Sequence, residues 1–281
     1  MTEPIDASKI VGTHDVVLIT LDTLRYDVAE RLWRDGGTPN LRAVLPATGW
    51  EARHSPGNFT FAAHAAFFAG FLPTPIAPVA PGAPKPPRLF AIRFGGSETT
   101  AATTHVFDTP DIVQGFKSRG YHTVCIGGVG FFNPQSPLGR VLPGLFDESH
   151  WSPQLGVTDP RSTENQIALA CEVLERHQRR RVFLFINVSA LHQPNRMYLP
   201  GATEDSIESH AAALKYVDSQ LGTLFAVLRR RGPAFVIICS DHGTAYGEDG
   251  YHGHRLGHPV VWTVPYAEFI LRHDAEKGHA R

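Results

Sequence analysis

The sequence predicts an α/β protein built on a mostly parallel sheet, because two buried strands and a sheet-packing helix can be recognised in it. Near-continuous apolar runs, typical of parallel strands covered on both faces, occur at residues 16–21 (Val-Val-Leu-Ile-Thr-Leu) and 236–239 (Val-Ile-Ile-Cys). With 281 residues, the chain is expected to form one large domain spanning residues 1–281. An amphipathic helix before the second run has an apolar stripe made of Leu214, Val217, Leu221, Leu224, Phe225 and Leu228.

The first predicted strand ends at an acidic residue, Asp22. In open α/β sheets, binding sites assemble beyond the carboxyl ends of the strands, so Asp22 is a candidate ligand. An aspartate in this position is also a common helix cap. The strand by itself leaves both interpretations open.

The segment 55–70 follows as a short, buried helix rich in Ala and Phe, and Gly70 is expected to end it. Thr60 then lies near the amino end of this helix, where free N–H groups and the helix dipole stabilise negative charge. An alkoxide or a bound phosphate would be favoured there. A plain threonine cap is the alternative.

Residues 73–88 contain a dense cluster of prolines and no hydrophobic period. We expect an extended loop beside the preceding helix, forming a wall on the substrate side and not a domain boundary. The chain contains no internal repeat.

The second predicted strand delivers two adjacent polar residues, Asp241 and His242, followed closely by His252, His254 and His258. Oxygen and nitrogen ligands at one strand end suit a borderline divalent cation such as Zn²⁺ or Mn²⁺. A surface turn is the alternative, since Asp and Gly are ordinary turn residues. With 15 histidines in the chain, some must be bystanders.

Composition limits the partners and the location. The formal charge of −1 offers no general attraction to nucleic acid or to anionic membranes. The first 14 residues lack the plan of a signal peptide, and no run is long enough to span a bilayer. Three scattered cysteines predict no disulfide framework. The expected location is therefore the cytoplasm, without nucleic-acid or membrane partners.

Taken in order, these segments resemble the alkaline phosphatase superfamily, in particular its sulfatase-like branch. The resemblance runs from about Asp15 to Leu271. It implies a three-layer sandwich around a central, mostly parallel sheet. The segments that carry it are 21–27 (Leu-Asp-Thr-Leu-Arg-Tyr-Asp), 38–40 (Thr-Pro-Asn), the helix with Thr60, 120–123 (Gly-Tyr-His-Thr), 191–194 (Leu-His-Gln-Pro), 217–218 (Val-Asp) and 240–243 (Ser-Asp-His-Gly).

Departures from the sulfatase pattern favour phosphoryl chemistry. Sulfatases carry a cysteine, matured to formylglycine, ten residues before the glycine that ends the nucleophile helix, and Thr60 stands there. Gly128 stands where sulfatases usually place a lysine. Their second lysine corresponds to His254, eleven residues before Pro265. These positions are similar to those of nucleotide pyrophosphatases and phosphoethanolamine transferases.

The resemblance implies a threonine nucleophile and a divalent cation held by Asp22, Thr60, Asp241 and His242. His192 and His254 would bind the transferred anion. Zn²⁺ or Mn²⁺ is favoured, with Mg²⁺ or Ca²⁺ as alternatives.

We expect one cation at this site. The main alternative is two cations, the second of them held by His192, His254 or His258. Asp205 and His210 lie five residues apart instead of the four seen in the nucleotide pyrophosphatases. They are therefore interpreted as solvated residues at a helix start.

The expected reaction is cleavage of a phosphodiester or phosphomonoester through a phospho-threonine intermediate, with a small-molecule or modified-metabolite substrate. A sulfuric ester hydrolase without formylglycine, a phosphotransferase and a non-catalytic binding or accessory protein are the alternatives. The chain ends soon after the last predicted strand, so the C-terminal subdomain of typical sulfatases is expected to be missing. A wall of the cleft would then be absent or supplied by a partner protein.

Overall fold

A computed structural model describes residues 5–71, 80–83, 88–90 and 103–274. Most of the expected proline-rich loop, residues 73–79 and 84–87, lies outside the described residues. The helices are α1 (Ala7–Ile10), α2 (Tyr26–Arg34), α3 (Pro39–Arg42), α4 (Thr60–Ala69), α5 (Ile112–Ser118), α6 (Ser162–Arg176), α7 (Ile207–Arg231) and α8 (Pro259–Trp262). The strands are β1 (Asp15–Leu21), β2 (Glu51–His54), β3 (Arg88–Phe90), β4 (Thr104–Val106), β5 (His122–Ile126), β6 (Glu148–His150), β7 (Val182–Val188), β8 (Ala234–Cys239), β9 (Ala245–Tyr246), β10 (His252–Gly253) and β11 (Thr263–Leu271).

Seven of these strands form a central sheet in the order β2-β11-β8-β1-β7-β5-β6. The five strands from β8 to β6 run parallel, whereas β11 runs antiparallel to both β8 and β2. The expected α/β architecture with a mostly parallel sheet is therefore confirmed.

Helices cover both faces of the sheet, which explains why its central strands are almost wholly apolar. Alternate residues of β1 point to opposite faces, so Val17 and Ile19 join one core cluster and Val16 joins the other. The first cluster includes residues of α2, α6 and α7, and the second includes residues of α4 and α5. These three layers are the arrangement in which a parallel sheet buries both of its faces.

The apolar stripe predicted between residues 214 and 228 lies on α7 and is buried, as expected. Within the residues that the structure describes, no helix has both the length and the apolar character needed to cross a bilayer. The carboxylate of Asp218 on α7 accepts hydrogen bonds from the backbone N–H groups of Asn40 and Leu41. The segments 38–40 and 217–218 thus join α3 to α7 and have a structural role.

Candidate active site

The carboxyl ends of β1 and β8 place Asp22, Asp241 and His242 side by side. The two strands pair in parallel up to Thr20 and Cys239, so both chains leave the sheet at the same edge. Nε2 of His242 lies 3.5 Å from Oδ2 of Asp241 and 3.9 Å from Oδ1 of Asp22. All three side chains are buried. The structure therefore brings together three of the expected metal ligands.

Thr60 completes this group from the amino end of α4. Its hydroxyl Oγ1 lies 3.4 Å from Oδ2 of Asp22 and 3.4 Å from Nε2 of His242. Ser55 Oγ is within hydrogen-bond distance of the Asp241 carbonyl oxygen, which ties the loop before α4 to the end of β8. Gly70 ends the helix with φ +74°, a left-handed conformation that glycine adopts without strain, as expected.

One oxygen of each carboxylate lacks a hydrogen-bond partner. Oδ2 of Asp22 accepts from Asn187 Nδ2 at 3.0 Å, and Oδ1 of Asp241 accepts from the N–H groups of Thr23 and His242. Oδ1 of Asp22 and Oδ2 of Asp241 are buried and unpaired. Leaving such atoms without a partner is costly, so each points to a missing ligand.

The imidazole of His242 is also oriented to bind a metal ion. Nδ1 of His242 lies 2.9 Å from the Gly243 carbonyl oxygen, a bond that fixes Nδ1 as the protonated nitrogen and leaves the Nε2 lone pair free. Two carboxylate oxygens, one imidazole nitrogen and one hydroxyl form a donor set that suits a borderline divalent cation. The residues present thus fit the cation implied by the sequence.

Electrostatics give the same indication. Burial, reinforced by repulsion from Asp241, raises the pKa of Asp22, and burial raises the pKa of Asp241 to about 7. Burial also lowers the pKa of His242, so its ring stays neutral. Two buried carboxylates without a counter-charge are destabilising, and a bound cation would relieve both.

The two histidines expected to bind the transferred anion lie next to the four donors. The ring centroid of His254 is 4.6 Å from that of His242 and 5.3 Å from that of His192. Burial, followed by the neighbouring His242, lowers the pKa of His254 to about 3, so this ring is neutral at physiological pH. Thr60, His192 and His254 line one pocket of about 360 Å³.

Mostly apolar residues, together with Ser136 and one arginine, form the rest of this pocket wall. Arg255 lines it, and its guanidinium lies 5.2 Å from the ring centroid of Phe59 and 5.9 Å from that of Phe131. These distances are typical of cation–π contacts, which hold the charge beside the pocket. A pocket with a fixed positive charge and an apolar wall suits an anionic substrate with an organic substituent.

Two site residues were not identified from the sequence. Asn187 is the polar residue inside the otherwise apolar strand β7. Its position could have been recognised from the sequence as a sign of a functional contact, because a buried amide needs a hydrogen-bond partner. Arg255 directly follows His254 in a loop, and nothing in its sequence context marks it as a pocket residue.

His258 occupies a different position from the one expected. Its Nδ1 accepts from the Val260 N–H at the start of α8, and its Nε2 lies 3.0 Å from Oδ2 of Asp249. With both ring nitrogens engaged, His258 caps a helix and is not one of the residues lining the pocket. The expectation that it serves a second metal or anion is corrected accordingly.

The interpretation of His210 as a solvated residue is wrong. Its side chain is fully buried, and its Nδ1 lies 3.1 Å from the Tyr246 hydroxyl. Asp205 is half-buried and accepts hydrogen bonds from the backbone N–H groups of Asn195 and Arg196. Both residues therefore hold the loop that follows His192 against the amino end of α7.

The surroundings of Gly128 explain why this position does not carry the lysine that sulfatases usually have there. A Cβ atom built there would lie 2.5 Å from the carbonyl oxygen of Asn187 and 2.6 Å from Cβ of Ser189. Both distances are far below normal contact. No side chain fits at this position while β7 keeps its present place.

A family model described as Sulfatase matches residues 14–266. The match covers most of the chain, and the chain therefore belongs to the sulfatase family. A comparison with curated proteins found no match.

Solved structures show the same fold. The chain is similar to the periplasmic domain of phosphoethanolamine transferase EptC from Campylobacter jejuni, with 14% identity, a TM-score of 0.62, and 94% of this chain and 81% of that one covered. The chain is also similar to the periplasmic domain of EptC from Escherichia coli in complex with Zn, with 13% identity and a TM-score of 0.63. That match covers 96% of this chain and 77% of the other. A protein in the alkaline phosphatase superfamily from Vibrio parahaemolyticus matches with 19% identity and a TM-score of 0.58. That match covers 93% of this chain and 60% of the other.

Proposed function

We propose that the protein cleaves phosphate esters by transferring the phosphoryl group to Thr60. The observation that carries this proposal is the position of the Thr60 hydroxyl, 3.4 Å from both Asp22 and His242, beside two buried carboxylate oxygens without partners. Members of the sulfatase family act on phosphate or sulfate esters, and family membership supports the same class of reaction.

Asp22, Asp241, His242 and Thr60 would hold one divalent cation, with zinc or manganese favoured by this donor set. Such a cation would favour the alkoxide form of the threonine and would neutralise charge on a phosphoryl oxygen. The zinc complex of a structural neighbour supports this assignment.

The chain's own residues position the reaction. Thr60 presents its oxygen at the amino end of a ten-residue helix, where the dipole stabilises negative charge. His192 and His254 line the same pocket beside the non-bridging oxygens, and His254 would donate an N–H to them as charge builds up. When Thr60 Oγ1 bonds to phosphorus, the ester P–O bond breaks and the alcohol leaves with a proton. Water then attacks the phospho-threonine, the P–O bond to Thr60 breaks, and the threonine hydroxyl takes up a proton.

Phosphate is favoured over sulfate by the residues at three positions. Threonine replaces the formylglycine precursor, glycine replaces the first lysine, and His254 replaces the second. His192, His254 and Arg255 line the pocket without a lysine, and the attacking oxygen is a threonine hydroxyl and not a formylglycine hydrate.

A transfer reaction is the second candidate, because structural neighbours from Campylobacter jejuni and Neisseria meningitidis are phosphoethanolamine transferases. In that case an acceptor alcohol, instead of water, would resolve the phospho-threonine. Release of inorganic phosphate or phosphomonoester without an added alcohol supports hydrolysis. A strict requirement for the alcohol supports transfer.

The test compares the wild type with Thr60→Ala and Thr60→Ser on an aryl phosphomonoester, an aryl phosphodiester and an aryl sulfate. We expect phosphate-ester turnover by the wild type to fall at least about 10³-fold in Thr60→Ala and to be partly retained in Thr60→Ser. Faster sulfate than phosphate turnover would refute the substrate class. Undiminished activity in Thr60→Ala would refute the nucleophile.

A further inference from the structure

A second group of metal-ligating side chains lies far from the candidate active site. It consists of His122, Glu148, His150 and His177, which we call the histidine–glutamate cluster. His122 begins β5 and pairs with Val182, the first residue of β7, whereas Asn187 at the active site lies five positions further along that strand. At about 3.3 Å per residue, the two sites are separated by about 16 Å along the sheet.

The ligand atoms of this cluster converge on one point. Nε2 of His122 lies 3.1 Å from Oε2 of Glu148, and Nε2 of His177 lies 3.2 Å from the same oxygen. The His122 and His177 rings lie against each other with centroids 3.9 Å apart. One ligand atom from each of these three residues lies within 4.8 Å of the other two.

These separations are those of ligands around one small cation. Zinc bonds to nitrogen and oxygen ligands are about 2.0–2.1 Å long, so neighbouring ligands of a tetrahedral ion lie about 3.3 Å apart. Nε2 of His150, 2.7 Å from Oε1 of Glu148, orients the carboxylate from its other side. We propose that His122, Glu148 and His177 form a second binding site for zinc or a similar divalent cation, with water as the fourth ligand.

Arg176 competes for the same carboxylate. Its Nη2 lies 2.8 Å from Oε1 of Glu148, and its side chain is half exposed. Because this side chain is half exposed, it can swing into solvent when a cation enters.

The site joins three separate elements. Glu148 lies on β6, the edge strand of the sheet, His122 lies on the neighbouring β5, and His177 follows the last residue of α6. β6 has only three residues, and its ladder contributes few hydrogen bonds. A bound cation would tie this short edge to the body of the domain, which gives the site a stabilising role separate from the proposed catalysis.

The experiment uses the full chain with Asp22→Asn and Asp241→Asn, so that the candidate active site no longer competes for metal. We expect this double variant to bind one equivalent of Zn²⁺ in a titration against a chromophoric chelator. Adding His177→Gln or His122→Gln should weaken that binding at least about tenfold, since a direct ligand is lost. His54→Gln, which alters an exposed histidine elsewhere, should not change it.

Arg176→Gln gives an independent measurement that a folding defect cannot imitate. Removing a competing, half-exposed ion pair should tighten zinc binding about two- to fivefold. No zinc bound by the double variant would overturn the proposal. Equal losses in His54→Gln and His177→Gln, or unchanged binding in Arg176→Gln, would also overturn it.

Discussion

Asn187 donates a hydrogen bond of 3.0 Å from Nδ2 to Oδ2 of Asp22, and this contact sets which oxygen of Asp22 is left for a cation. The Asn187 amide is fixed in turn, because its Oδ1 accepts from the Val129 N–H at 3.1 Å. The buried strand β7 thus orients a proposed metal ligand at the end of the neighbouring strand.

Replacing Asn187 with alanine should therefore weaken metal binding by about 10- to 100-fold, the usual effect of losing a residue that orients a ligand. Metal affinity measured by chelator competition checks this. Asn165→Ala, which removes an amide bonded to the Gln154 carbonyl oxygen on the surface, is the matched control. An equal loss of affinity in both variants would contradict the role of Asn187.

The stability of the metal-free protein should decrease as the pH rises through the range set by Asp241. Burial raises its pKa from the ordinary value of 3.8 to about 7 on folding. Between these values the folded state binds more protons than the unfolded state, so the free energy of unfolding falls with rising pH. Burial raises the pKa of Asp22 in the same direction.

Urea unfolding of the chelated protein at several pH values measures this slope. Saturating Zn²⁺ should reverse it, because the cation binds the ionised pair. Asp241→Asn should flatten the slope without metal. A chelated wild type whose stability increases from pH 4 to pH 7 would show that the pair is not protonated as proposed.

Gly128→Ala should lower the free energy of unfolding by about 1–3 kcal/mol, the usual cost of forcing extra volume into a packed site. The added Cβ would meet the backbone of Asn187. Gly130→Ala is the control, since in the described part of the chain no atom other than its immediate chain neighbours and local helix backbone lies within 4 Å of its Cβ position. Its effect should stay within about 0.5 kcal/mol. Equal stability of the two variants in urea would show that Gly128 has room for a side chain.

Arg255→Met should raise KM for substrates with a second anionic group more than it lowers kcat, because this arginine lines the pocket and is not one of the four proposed metal donors. Steady-state kinetics on two aryl phosphodiesters, one with and one without a second anionic group, separate the two effects. Arg53→Met, which alters an exposed arginine 5.0 Å from the Tyr266 ring centroid, is the control. A uniform loss of kcat for both substrates would argue against substrate binding by Arg255.

The sequence was informative where local pattern and chemistry coincide. Apolar strands that end in Asp22 and in Asp241 identify both the sheet and the edge at which its site lies, because side chains after parallel strands meet at one edge. The helix from Thr60 to Gly70 was recognisable from its composition and its glycine stop.

Long-range contacts account for what sequence reasoning missed. His258 has the same residue type and neighbourhood as His254, yet only the packing of α8 decides that it caps a helix. His210 is buried because the loop after β7 folds over it. The hydrophobic periodicity of the sequence around His210 does not reveal this contact. Arg255 becomes a pocket residue only through the rings of Phe59 and Phe131, which come from two distant segments.

Direct detection of phosphorylated Thr60 tests the central claim most sharply. The protein is mixed with excess aryl phosphate ester, quenched in acid within the first turnovers and digested for mass spectrometry. We expect a phosphoryl group on Thr60 in the wild type and none in Thr60→Ala. Turnover of the ester with no phosphate on Thr60, or with phosphate on another residue, would contradict the account.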